Sequence, residues 1–213
     1  MNPRHTVTQA APQSRAAAGV RGRGMTLIEL MVTLAILVIV LAIAIPSLTT
    51  FVKNTRLDTA TTDIQSALSL ARSEAVTRRE AVSVCISKDG STCEEGTAWK
   101  DGLLVFTNGA VGDTAGQPSN NDQLLKYIQI SDPALTITPV KLPGTTSPFG
   151  GVSYIRFTPS GMAQAPGALQ LCDDRSGPTG RRIALTQVGR TETTRSDPSD
   201  ASSAITCPVT TTP

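Results

Sequence analysis

From Met25 to Ile45 the chain reads MTLIELMVTLAILVIVLAIAI, 21 residues in which Glu29 is the only charged side chain. As a helix rising ~1.5 Å per residue the run reaches about 31 Å, which matches a bilayer's hydrocarbon core of roughly 30 Å. Two ordinary readings are a transmembrane anchor and a cleaved secretory signal. In the second, Leu30–Ala44 is the apolar region, Ala42-Ile43-Ala44 is a small-x-small cleavage site, and a soluble protein starts at Ile45. Neither reading has a use for Glu29. A carboxylate that deep in a membrane helix costs ~2.5–3.5 kcal/mol on insertion scales.

Charge is distributed unevenly around this run. Residues 1–24 carry Arg4, Arg15, Arg21 and Arg23 and no acid, a formal charge of +4. The whole chain is +2, so residues 25–213 sum to −2. A basic, small-residue flank before an apolar run holds an N-terminus on the cytoplasmic side of a membrane, and it reads as a targeting leader. The near-balance of charge argues against a polyanion-binding protein that relies on sheer charge.

After Pro46 the pattern becomes amphipathic. Leu57, Ala60, Ile64, Ala67, Leu68, Ala71 and Ala75 recur at three- and four-residue steps, with Arg56, Asp58, Asp63, Arg72, Glu74 and Arg78 mostly on other faces. The spacing predicts one helix from about Thr26 to Arg79, its second half packed along a globular head. From residue 81, short apolar or alternating runs are separated by Gly, Pro, Asn and Ser clusters. Strands are expected at Ala81–Ser87, Gly102–Thr107, Leu124–Ile130, Ala134–Thr138, Ser153–Thr158, Ala168–Leu171 and Arg182–Val188. Asn108–Asp122 and Lys141–Gly151 read as loops and Arg195–Pro213 as a polar tail. The fold class is α+β, an antiparallel sheet laid on the exported half of a long helix.

At Gly24-Met25-Thr26-Leu27-Ile28-Glu29-Leu30-Met31-Val32 the sequence resembles the N-terminal signature of type IV pilins and type II secretion pseudopilins. The resemblance implies a pilin-like fold, a peptidase cut between Gly24 and Met25, and methylation of the new amine on Met25. Glu29 then becomes the fifth mature residue, the family's acidic position. The family usually has Phe after the cut, where this chain has Met25. Pro46 matches the family's helix-bending proline. The leader exceeds the handful of residues usual for the pilus subtype, which moves the expected start toward Val20. The chain thus reads as leader 1–24, transmembrane half-helix 25–45, amphipathic half-helix 46–80 and β-rich periplasmic head 81–213. Glu29 reads as an assembly residue: a neighbouring subunit's amine neutralises it only when the two helices stagger in the right register.

Head segments narrow the resemblance. Trp99-Lys100-Asp101-Gly102 precedes Leu104-Val105-Phe106, and Phe157-Thr158-Pro159-Ser160-Gly161 precedes Leu169-Gln170-Leu171-Cys172. Arg181-Arg182-Ile183-Ala184-Leu185 then runs into Val188-Gly189-Arg190. This ordered set is similar to the GspH/FimT minor pilins and pseudopilins, FimU-like proteins among them, over nearly all of residues 22–195.

Four cysteines, Cys85, Cys93, Cys172 and Cys207, lie in the part that would be exported, and four allow three connectivities. Proximity favours Cys85–Cys93 and Cys172–Cys207, and an oxidising periplasm makes disulfides the default. A four-thiolate metal site is the rival, disfavoured because no C-x-x-C pair occurs.

Enzymatic readings are poorly supported. The only histidine, His5, leaves with the leader, and no phosphate-binding glycine motif occurs. No cofactor or metal is expected. The adjacent acids Asp173-Asp174 and Glu94-Glu95 and the pair Asp197/Asp200 read as solvated loops. Trp99, beside its Lys-Asp-Gly turn, reads as the anchor of a strand end rather than a binding platform.

The resemblance implies a structural subunit taking part in initiation or tip assembly of a type IV pilus or a type II secretion pseudopilus. It would sit in the bacterial inner membrane as a single-pass protein with a periplasmic head. Its partners would be other minor pilins, the major subunit, the prepilin peptidase and the assembly platform. The alternative is a DNA-binding minor pilin for natural transformation, since some FimT-like members bind DNA through a Gly-Arg-x-Arg motif near the C-terminus. The matching stretch here is Gly189-Arg190-Thr191-Glu192, where Glu192 reverses the second charge. Arg175, Arg181, Arg182, Arg190 and Arg195 are the candidate basic patch, yet residues 172–213 sum to zero. Phosphate binding needs clustered positive charge.

Overall fold

A computed structural model describes residues 24–96, 99–109, 115–130, 132–196 and 205–208. His5, Asp197, Asp200 and the leader before Gly24 lie outside the described residues, as do much of the polar tail and residues 110–114 of the Asn108–Asp122 loop. The chain divides into two units, Met1–Pro46 and Ser47–Pro213, and each is described by itself. Helix α1 (Leu27–Arg78) contributes to both, with Pro46 inside it.

In the first unit α1 is long and apolar enough to cross a membrane, and its apolar window is wholly exposed. Met25, Leu27, Ile28, Leu34, Val38 and Ile43 are among the side chains with no protein neighbour to cover them. Such a surface is stable only in an apolar surrounding.

In the second unit the helix buries Leu57, Ala60, Thr61, Ile64, Ala67, Leu68, Ala71 and Ala75. Every position of the expected stripe is therefore buried, and Thr61 joins it. Its hydroxyl donates to the Leu57 carbonyl at 2.6 Å, so no polar atom is stranded there. Four of these residues are alanines, which let the backbone approach the sheets closely. The helix stops where Arg79 takes a left-handed conformation (φ 58°) and the Glu80 N–H reaches back to the Ala75 carbonyl.

Among the described residues ten strands follow: β1 (Val82–Ile86), β2 (Leu103–Thr107), β3 (Leu124–Ile128), β4 (Thr136–Val140), β5 (Tyr154–Phe157), β6 (Gly167–Cys172), β7 (Gly177–Pro178), β8 (Arg181–Leu185), β9 (Thr191–Arg195) and β10 (Thr206–Cys207). They form two four-stranded sheets, β3-β2-β1-β5 and β4-β6-β8-β9, and the short pair β10-β7, all antiparallel. The head is thus built on two sheets where the sequence suggests one. One core joins them to the helix: Leu57, Ile64 and Leu68 meet Val84 and Val105 of the first sheet and Leu169, Ile183 and Leu185 of the second.

β1 and β2 are buried on both faces. Val82, Val84 and Ile86 face the common core, while Cys85, Leu104 and Phe106 form a second small cluster with Tyr127 and Tyr154. The Cys85–Cys93 disulfide closes the loop beside that cluster. Trp99 is 1% exposed and packs on Phe149 with ring centroids 6.0 Å apart, so it belongs to the core.

Three expectations need correction. The strand expected at Ala134–Thr138 starts at Thr136, because Asp132 closes a turn first. Its carboxylate accepts from the Ala134 N–H and its carbonyl from the Leu135 N–H. The strand expected to reach Val188 ends at Leu185, since Thr186 and Gly189 make the hairpin turn into β9. Arg195, expected to begin the polar tail, instead ends β9, Thr-Glu-Thr-Thr-Arg, which none of the expected strands covers; it has no apolar residue to reveal it and stands at a sheet edge.

Candidate functional site

The N-terminal unit opens with Gly24, exposed and ahead of the helix, and a Cβ built on it would meet nothing within 4 Å. Met25 and Thr26 are likewise exposed and non-helical. Thr26 caps the helix, its hydroxyl accepting from the Glu29 N–H at 3.2 Å. Glu29 lies in the first helical turn, where partial positive charge from unpaired amides favours a carboxylate. This cap went unread in the sequence, although Thr26-x-x-Glu29 is the spacing of a capping box. A helix start there leaves the bond between Gly24 and Met25 outside the hydrogen-bonded helix.

At the other candidate site, the arginines do not gather. Arg181 is buried, and its Nε donates to Asp58 Oδ1 at 2.8 Å; the same guanidinium donates to the carbonyls of Thr179 and Gly180. Arg195 donates to the other oxygen of Asp58 at 2.9 Å. Arg190 is exposed and stands 3.7 Å from Glu192. Arg182 is half-buried with its Nε enclosed and unpartnered, in register with Gln170 and Thr194 on the sheet face opposite the core. Arg175 binds Asp173 and donates to Asn54 on α1. Each described cation of the candidate patch except Arg182 thus has an acidic partner.

Three of the acids read as solvated loops, Asp173, Asp174 and Glu94, are instead held in ion pairs, while Glu95 is exposed. Asp173 is 4% exposed and accepts from Arg175 at 2.8 Å, while Asp174 accepts from Lys53 of α1 at 2.7 Å. Lys53 and the other hydrogen bonds around Asp174 hold its carboxyl below the usual aspartate range. Glu94 accepts from Lys88 at 2.7 Å, raising the lysine above its ordinary value. Lys53, Asn54 and Asp58 therefore form a polar seam joining α1 to the stretch between β6 and β8. The Cys172–Cys207 disulfide secures β10 to that same stretch. Among the described residues no three metal-ligating side chains come together.

A third feature lies where two turns meet the helix. Gly161 and Gly189 both take positive φ (77° and 76°), and a Cβ on Gly189 would collide with the Gly161 carbonyl oxygen. Arg72 ties this contact to the helix by donating to the carbonyls of Gly161 and Val188, each at 3.1 Å. The glycines of the Thr158-Pro159-Ser160-Gly161 and Val188-Gly189-Arg190 segments are thus packing requirements.

With this geometry in view, comparison with known proteins decides the family. The profile described as type II transport protein GspH matches residues 60–189. The chain belongs to that family. The prokaryotic N-terminal methylation motif matches residues 21–45, a span that includes Gly24, Met25 and Glu29. Among solved structures, the type IV minor pilin FimU of Pseudomonas aeruginosa resembles it at 23% identity and a TM-score of 0.50, covering 68% of this chain and 93% of that one. The minor pseudopilin EpsH of the Vibrio cholerae type 2 secretion system is also similar, at 14% identity and a TM-score of 0.42, with 66% and 97% covered. Comparison with curated proteins gives no match.

Proposed function

We propose that this GspH-family protein is a minor pilin or pseudopilin, a non-catalytic subunit that takes part in initiating a type IV pilus or type II secretion pseudopilus or in assembling its tip. The observation that carries the reading is the pairing of a bare apolar half-helix, headed by Glu29, with a folded β-rich head. In this reading the leader 1–24 is removed by cleavage after Gly24, and Met25 is methylated. Residues 25–45 then cross the inner membrane, and the amphipathic half-helix 46–80 and head 81–213 stand in the periplasm, with Pro46 as the position of helix bending. Other minor pilins, the major subunit, the prepilin peptidase and the assembly platform are its partners.

Glu29 serves as the register pin. An isolated carboxylate in hydrocarbon is costly, and lateral contact between apolar helices is too unspecific to align them. Pairing with a neighbour's terminal amine removes the cost at one stagger only. Replacing Glu29 by Ala should leave the protein in the membrane and exclude it from sheared filaments. Incorporation at the wild-type level would overturn the assignment.

A further inference from the structure

The β9 edge of the second sheet has no strand paired to it among the described residues. The Thr186 N–H bonds the Arg190 carbonyl, and the Ser196 N–H bonds the Gly180 carbonyl. Between those two fixed points the β8–β9 register pairs Leu185 with Thr191, Ile183 with Thr193 and Arg181 with Arg195. Hydrogen-bonded and non-bonded pairs alternate along an antiparallel ladder. Residues 190, 192, 194 and 196 therefore turn their backbone groups toward β8, and Thr191, Thr193 and Arg195 turn theirs outward. Those outward N–H and C=O groups have no backbone partner among the described residues. The strand is exposed along nearly its whole length and carries no proline or bulge; its only charged side chains are Glu192 and Arg195.

Beside this edge a groove of about 490 Å³ runs along α1, lined in part by Ser69, Arg72, Ser73, Val76, Arg190 and Thr191. Its lining includes no acid and two arginines, Arg72, which already donates to the Gly161 and Val188 carbonyls, and Arg190, whose solvent-exposed pair with Glu192 at 3.7 Å is loose enough to exchange for another carboxylate. Next to it, Val76, Met162 and Val188 are exposed apolar side chains around the Gly161–Gly189 contact. An open row of alternating donors and acceptors is matched by another extended backbone. The cationic groove beside it favours a carboxylate on that backbone.

We propose that β9 takes up an extended, acidic segment from a neighbouring subunit of the filament, which pairs with Thr191, Thr193 and Arg195 as a fifth strand of the sheet. This rests on the reading of the protein as a filament subunit. A second copy of the same chain fits less well. Self-pairing of β9 in the antiparallel sense would place the two Glu192 carboxylates diagonally across the seam, where like charges repel.

The test compares amide hydrogen exchange of the full-length protein in detergent with that of the same protein in sheared filaments. The amides of Thr191, Thr193 and Arg195 should slow by about tenfold or more on assembly, while those of Glu192 and Thr194, already bonded to β8, change little. Thr193→Pro deletes one outward N–H and is tolerated at an edge. It should reduce incorporation into filaments, whereas Thr193→Val, which keeps the N–H, should not. Unchanged exchange in filaments that contain the protein would overturn strand addition and leave the subunit reading standing. Absence of the protein from filaments would overturn both. Slowing of these amides by a DNA duplex alone, without filaments, would overturn the proposal in favour of a nucleic acid.

Discussion

Asp58 on α1 and Arg181 on β8 meet at 2.8 Å, with the arginine side chain 8% exposed and the aspartate 33%. Removing one partner of a buried pair strands the other's charge, and that is more damaging than the pair is beneficial. Asp58→Ala should therefore destabilise the head by about 3 kcal/mol, read from denaturant unfolding of the full-length protein in detergent. Asp58→Ala combined with Arg181→Met should recover part of the loss. Equal destabilisation by the single and double variants would mean the charge is not the cause.

The Gly161–Gly189 contact makes a second, independent prediction. A methyl on Gly189 collides with the Gly161 carbonyl and also requires a left-handed backbone of a residue that resists it. Gly189→Ala should cost at least about 1–3 kcal/mol in the same unfolding measurement. A loss below the scatter of replicate unfolding curves would show that the two turns separate freely.

Loop length ranks the disulfides. Cys172–Cys207 closes a sequence separation of 35 and Cys85–Cys93 one of 8. The chain-entropy relation gives about 4 kcal/mol for the first and about 2.6 kcal/mol for the second. Replacing Cys172 and Cys207 by Ser should be the more harmful change and should free β10 from its pairing with β7 first. The reverse order of stability would contradict this ranking.

The loop after β1 provides a pH prediction. Asp89 accepts from the N–H groups of Ser91 and Thr92, and these bonds hold its carboxyl far below the ordinary aspartate range. A carboxyl with a depressed folded-state pKa stabilises the fold above its unfolded pKa of roughly 4, and the contribution is lost as pH falls toward the folded value. Asp174 is shifted the same way by Lys53. Carboxyl NMR titration should find the Asp89 midpoint well below the ordinary aspartate range. An ordinary midpoint would refute the turn geometry.

Strong periodicities carried most of the fold in the sequence. The stripe from Leu57 to Ala75 is buried at every expected position, and strands with two apolar faces, such as Leu103–Thr107, lie within a residue of their expected bounds. What stayed hidden were features set by partners rather than by pattern. Thr191–Arg195 is a strand only because β8 offers it a ladder. Asp173 and Asp174 are adjacent in sequence, yet one is buried against Arg175 and the other reaches across to Lys53 of α1. Arg181 and Arg195 read as DNA-binding candidates until Asp58, 123 and 137 residues away, is seen to bind both. The Thr26 cap was legible from spacing alone, but the apolar run drew attention to Glu29 as a charge.

The central claim is that this chain is cut ahead of its apolar helix and assembles through it. The intact mass of the N-terminal peptide, taken from the sheared filament fraction, tests it most directly. The chain in that fraction should begin at methylated Met25. A chain beginning at Ile45 in the soluble fraction, with none in the filaments, would contradict it.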